Sequence, residues 1–194
     1  MKVTLTDHTA DPEALIGKMA AICYDAKVDR EACIKRTAHC RDSGHLATLR
    51  FAYATFHIEG ISRVCSHQIV RVAHAGILQR SQRYVKETCI AYVNPPAYDQ
   101  LDQYNRQAWD SIQAQAEGLY LMLINTGRMK KEDARYILPH GCATSMNITG
   151  NFQMWKDIIA NRASKHAQWE VREVFTEVDR QLGRLAPGLF GGAV

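Results

Sequence analysis

Phe51-Ala-Tyr-Ala-Thr-Phe-His-Ile58 is rich in aromatic and β-branched residues and partly alternates, which predicts a strand ended by Gly60. Directly after it, Ser62 to Ala75 reads as a helix with Gly76 as its stop. A second strand follows at Thr88-Cys-Ile-Ala-Tyr-Val93, closed by Asn94-Pro95-Pro96. Upstream, Asp11-Pro12-Glu13 opens a helix through Leu15, Met19, Ile22 and Cys23, with an N-cap acid and Pro at its first position. Asp42-Ser43-Gly44 marks a turn. Downstream, Tyr104 to about Thr126 sets Trp109, Ile112, Ala116, Leu119, Tyr120 and Leu123 at helical spacing, and Gly127 closes the run. A last helix extends from about Asn151 to Leu185. Helix, strand, helix, strand, helices is the order of an α+β fold, with helices packed on a small sheet.

The chain has 194 residues, which predicts a single domain over residues 1–194. Apolar residues make up 46% and charged ones 23%, enough to bury a core without staples. No run approaches the ~18 apolar residues of a membrane helix, and MKVTLTDHTADPE lacks the layout of a signal peptide. The expectation is a cytoplasmic protein with no membrane partner. A net charge of +4 does not indicate a nucleic-acid-coating protein, so no nucleic acid is expected as partner. Its distribution says more. Between Ile61 and Lys86 there is no Asp or Glu, while Arg63, Arg71, Arg80, Arg83 and Lys86 supply five positive charges. That window reads as an anion site. The six cysteines form no C-x-x-C pair and read as reduced thiols, mostly core filler. Cys65, His67, His74 and His140 match no common zinc spacing, and no metal is expected.

Phe152, Trp155, Ile159, Arg162, His166 and Trp169 follow one another by three or four residues and form one helical stripe. An unpaired guanidinium there is costly, so Arg162 must meet an acid, a ligand or water. A pair with Glu170 or Glu173 and a ligand contact both remain open. Gln68 and Arg71, three apart on the expected helix, point the same way. After Gly76 comes Gln79-Arg80-Ser81-Gln82-Arg83-Tyr84, a loop rich in donors for a phosphate and a pyrimidine edge, which Arg135 could join as a further clamp. There is no G-x-G-x-x-G, Walker loop or G-x-S-x-G elbow. Ser81 has no acid nearby in sequence to orient His67 or His74 as its base, which argues against a serine hydrolase.

Several blocks in order resemble the flavin-dependent thymidylate synthase (ThyX) family. They are Gly60-Ile-Ser-Arg-Val-Cys-Ser-His-Gln-Ile-Val-Arg71, Ser81-Gln-Arg-Tyr-Val85, Ala134-Arg-Tyr-Ile-Leu-Pro139, Thr149-Gly-Asn151 and Asn161-Arg-Ala-Ser-Lys-His-Ala-Gln-Trp-Glu170. The resemblance implies a ThyX-like α+β homotetramer with active sites between subunits. It implies FAD as cofactor, dUMP as substrate methylated at C5, methylenetetrahydrofolate as carbon donor and NADPH as reductant, with no enzyme cysteine attacking the ring. By position it makes Arg162 the arginine that stabilises ionised N3 of the uracil. Gln68, Arg71, Gln79, Ser81, Gln82, Arg83 and Arg135 become the dUMP contacts. His45, Arg71, Gln79, Asn151 and Asp157 fall at the flavin and folate side, while His166 and Gln168 look like support for their helix.

The chain departs from that pattern selectively. The family signature is Arg-His-Arg, seven residues, then Ser; here Arg71 and Ser81 keep the spacing, but Val72 and Ala73 replace the His and second Arg. Arg50-Phe51 stands where the family tends to have Glu-His, Asp157 replaces an Asn or His, and Ser145 a common Arg. A lost charge-assisted contact costs roughly 1.5–3 kcal/mol, so two lost donors weaken cofactor binding by about tenfold to several thousandfold. Arg50, His74 or Arg80 could compensate. The nucleotide side is nearly complete and the flavin side altered, which leaves three readings: a synthase, a ThyX-fold enzyme with altered chemistry such as hydroxymethylation or another pyrimidine nucleotide, or an inactive nucleotide-binding or assembly homologue.

Overall fold

The computed structural model describes residues 1–88 and 90–192. The fold is α+β. Its strands are β1 (Lys2–His8), β2 (Tyr53–Ser62), β3 (Gly76–Gln79) and β4 (Ala143–Asn151), in the sheet order β1-β2-β4-β3. The helices are α1 (Pro12–Ala21), α2 (Arg30–Asp42), α3 (Arg63–Ile69), α4 (Gln103–Asn125), α5 (Lys131–Ala134), α6 (Phe152–Arg162) and α7 (Trp169–Leu185). Thr55 faces Thr149 across hydroxyls 2.8 Å apart, and His57 faces Asn147 at 2.7 Å. One number rises as the other falls, so β2 and β4 run antiparallel. Among the described residues, no helix is long and apolar enough to cross a membrane.

The chain forms two compact units, one of residues 2–58, 68–78 and 147–194, the other of Met1 with 59–67 and 79–146. In the first, alternate residues Ala54, Phe56 and Ile58 of β2 are buried, as a strand with one covered face requires. Trp155 of α6 is fully buried, packs edge-on against Phe56 at 5.0 Å and donates its indole N–H to Ala54 O. Each such large side chain removed from water stabilises the fold by about 1.5–3 kcal/mol. α7 buries Val171, Val174, Phe175, Val178 and Leu182, three or four residues apart, and packs on α6 and β1. Gln181 on that helix acts toward β1 like a neighbouring peptide, accepting from Leu5 N and donating to Val3 O. α1 packs on α2 at Gly17, where a Cβ would collide with the Cys33 carbonyl.

The second unit centres on Tyr120 of α4, buried with Ala134, Leu138 and Cys142 and flanked by Ile90, Tyr92, Leu121, Leu123 and Ile124. Burial pushes the Cys142 thiol up to about 11, despite its hydrogen bond with Tyr92.

Several boundaries differ from the sequence reading, each for a local reason. Asp11 precedes α1 as expected, but at φ +43° its carboxylate takes Arg30 instead of capping the helix. α1 ends at Ala21 and buries Ile16, Gly17, Ala20 and Ala21; Ile22 is 86% exposed. α2, capped by Asp29 through Ala32 N, was not anticipated. Residues 46–51 form a 3-10 turn, so β2 starts at Tyr53, and Gly60 at φ +70° lies within it rather than ending it. The helix expected to reach Ala75 stops at Ile69, and Gly76 opens β3. Of the strand expected at 88–93, Cys89 lies outside the described residues and Tyr92 makes only an isolated bridge to Cys142. α4 fits the expected span, with Gly127 at φ +68° after it, although Trp109, Ile112 and Leu119 of its stripe stay exposed. The expected last helix is two helices. Ser164 Oγ donates back to Asn161 O, and Gln168 starts α7 afresh by accepting from Val171 N.

Candidate active site

In the first unit a cavity of about 680 Å³ opens along α6. Asn151, Gln153, Met154, Asp157, Ile158, Asn161 and Arg162 line it from β4 and α6, recurring at the 3.6-residue period of one helical face. Arg50, from the 3-10 turn packed on α6, and Val72, Ala73 and His74 complete the wall. The residues that replace the family's His and Arg thus sit in the same cavity as Arg162.

Arg162 ends α6, half-buried, and its guanidinium makes no hydrogen bond or ion pair with another described residue. The pairing with Glu170 or Glu173 that the sequence left open is not made. The stripe breaks beyond it: His166 is exposed, in the segment between α6 and α7. Asn151 caps α6, its Oδ1 accepting from Met154 N at 2.9 Å, which leaves the amide N–H groups free for a ligand. Asp157 accepts from Gln153 Nε2 at 2.9 Å, while Gln153 Oε1 is buried without a partner. Gln153 and Asn161 were missed in the sequence, although both lie four residues from Asp157.

His45, Gln68 and Arg71 also belong to this unit but do not line the cavity. His45 is exposed at the start of the 3-10 turn. Gln68 is half-buried on α3, whereas Arg71 is exposed in the turn that follows, so they do not share a helical face.

The other predicted donors lie in the second unit. Gln79 donates to Ser66 Oγ at 2.8 Å and Thr144 Oγ1 at 3.4 Å. Gln82 is buried, and Ser81 Oγ accepts from Arg83 N at 3.2 Å, a tight turn of donors. Arg83 and Arg135 meet at Glu132, Arg83 Nε on its carboxylate at 2.7 Å and Arg135 Nε on its carbonyl at 3.0 Å. Arg80 pairs with Glu87, a carboxylate only 4% exposed, at 2.6 Å and donates nothing to an anion site as it stands. Desolvation lowers the pKa of Arg63, whose Nη2 bonds Arg80 O while its Nε is buried without a partner. Two acids outside the 61–86 window, Glu87 and Glu132, thus hold two of its five cations. The acid-free sequence concealed that. A second cavity, about 590 Å³, is lined by Arg83, Tyr84, Lys86, Ile124, Met129 and residues 130–132.

A family model described as thymidylate synthase complementing protein matches residues 4–188. The chain belongs to this family. Proteins named flavin-dependent thymidylate synthase are among its relatives. The one from Mycobacteroides abscessus is 37% identical over 79% of this chain and 66% of its own length. That from Clostridium tetani is 31% identical over 98% of this chain and 85% of its own, and that from Geobacter sulfurreducens 33% identical over 100% and 87%.

Proposed function

We propose that this chain is an FAD-dependent thymidylate synthase that methylates dUMP at C5 in the cytoplasm, with methylenetetrahydrofolate as carbon donor and NADPH as reductant. It works as a homotetramer whose active sites lie between subunits, each chain one ThyX-like domain. The family match over residues 4–188 supports the class of activity. The single observation that carries the site assignment is Arg162: a half-buried guanidinium with no partner among the described residues, lining a cavity with Asn151 and Asp157.

The cavity walls suit a flavin. Its volume of about 680 Å³ falls in the range of small-molecule sites. Met154, Ile158, Val72 and Ala73 offer apolar surface to a ring, while the Asn151 amide offers N–H donors to ring acceptors. A bound flavin would supply the redox chemistry and the relay for the one-carbon unit. The protein's part is to bind and polarise. Arg162 stabilises negative charge at N3 of the uracil, which raises electron density at C5, a purely electrostatic activation. Gln68, Arg71, Gln79, Ser81, Gln82, Arg83 and Arg135 hold the nucleotide, and His45, with Arg71 and Gln79, serves the flavin and folate side. The buried Cys142 thiol, held near 11, is no nucleophile at neutral pH.

Altered chemistry is a second reading, favoured by one observation: Val72 and Ala73 face the cavity and give a ligand no side-chain donors. Anaerobic incubation with FAD, NADPH, methylenetetrahydrofolate and dUMP, followed by mass spectrometry of the nucleotide, separates the readings. Methylated product alone is expected. A product heavier by one oxygen establishes hydroxymethylation, and no turnover by protein that still binds dUMP establishes a binding role.

A further inference from the structure

The geometry points to Arg50, assisted by His74, as the site that holds the phosphate groups of the dinucleotide cofactor in this chain. This inference rests on the flavin reading above and concerns how such a cofactor is retained without donors at residues 72 and 73.

The ionisable side chains of the cavity are Arg50, His74, Arg162 and Asp157. Asp157 is the one acid, and it already accepts from Gln153. Arg50 and Arg162 make no side-chain hydrogen bond or ion pair with another described residue; Arg71, Arg128, Arg172 and Arg184 are likewise without one, but of these six arginines Arg50 and Arg162 alone line the cavity. A wall with two unpartnered guanidiniums and one engaged carboxylate calls for an anion. Arg162 is committed to the pyrimidine, so Arg50 is the guanidinium left for the cofactor. Its fork matches two phosphate oxygens at once, which a lone ammonium cannot do.

Its placement is firm. Arg50 follows Leu49, which is fully buried and anchors the 3-10 turn against α6. His74 lies on the same wall at φ +64°, in the left-handed region that non-glycine residues rarely adopt. Val72 and Ala73, between Arg71 and His74, bring no polar side chain. The cation needed at this wall therefore comes from residue 50.

The test compares FAD with riboflavin, which shares the ring but carries no phosphate, on the wild-type protein and on Arg50→Gln. Arg50 is exposed, and an unchanged thermal midpoint verifies that the variant is folded. Arg50→Gln should weaken FAD binding by about tenfold to a hundredfold and leave riboflavin affinity unchanged. Equal loss for both ligands, or none for FAD, overturns the inference. If wild-type protein binds neither flavin, the flavin reading itself fails, and inorganic pyrophosphate then probes the anion site alone. Pyrophosphate binding that is lost in Arg50→Gln upholds a phosphate site, whereas binding retained in the variant, or no binding at all, overturns it.

Discussion

A guanidinium without a protein partner is a net cost to the folded chain, because burial takes away water that no acid replaces. Arg162 bears that cost at the end of α6, on a wall where a ligand anion restores the interaction. Since no described residue bonds its head group, Arg162→Ala should lower kcat by about a hundredfold or more while the thermal midpoint stays within a few degrees. Full activity in that variant sinks the assignment of the ring-activating group. The sequence already showed this residue as an anomaly, an Arg on an apolar stripe. It could not show whether Glu170 or Glu173 neutralised it, because that depends on where α6 ends.

At the scale of elements, Asn151 joins stability to binding. Its side-chain oxygen caps α6, which holds the whole cavity face, and its amide nitrogen is free. Asn151→Ala should therefore destabilise the fold by about 1 kcal/mol and also weaken flavin binding. Asn151→Asp keeps the cap and removes the amide donors. We expect it to retain the wild-type midpoint and still bind FAD more weakly; a loss confined to stability in both variants would leave Asn151 a cap only. Periodicity made α4 and α7 legible, since their apolar residues recur at three and four. The same periodicity concealed the break at 163–168, for the spacing of Trp155, Ile159, Arg162, His166 and Trp169 runs straight across it. Only the back-bond of Ser164 and the cap at Gln168 end one helix and start the next. Short apolar runs fared worst. Residues 88–93 look like a strand by composition, yet backbone pairing of Tyr92 and its neighbours is confined to Gly141, Cys142 and Ala143.

For the whole molecule, the motif blocks spread over residues 60–170 carried the family, and the family model spans 4–188. The cavity needed the fold. Arg50, the 72–74 turn and α6 are separated by about twenty to a hundred residues, and no local pattern says that they face one volume. What the structure adds is that the replaced residues Val72 and Ala73 lie on one wall with Arg50 and Arg162. The central claim is that this wall holds a flavin against dUMP. The visible spectrum of the purified protein, titrated with FAD in the presence and absence of dUMP, tests it most directly. A bound flavin whose spectrum shifts when dUMP is added is the expected result, because the proposed site puts the two ligands in contact. A protein that binds dUMP but takes up no FAD, or whose flavin spectrum ignores dUMP, contradicts it.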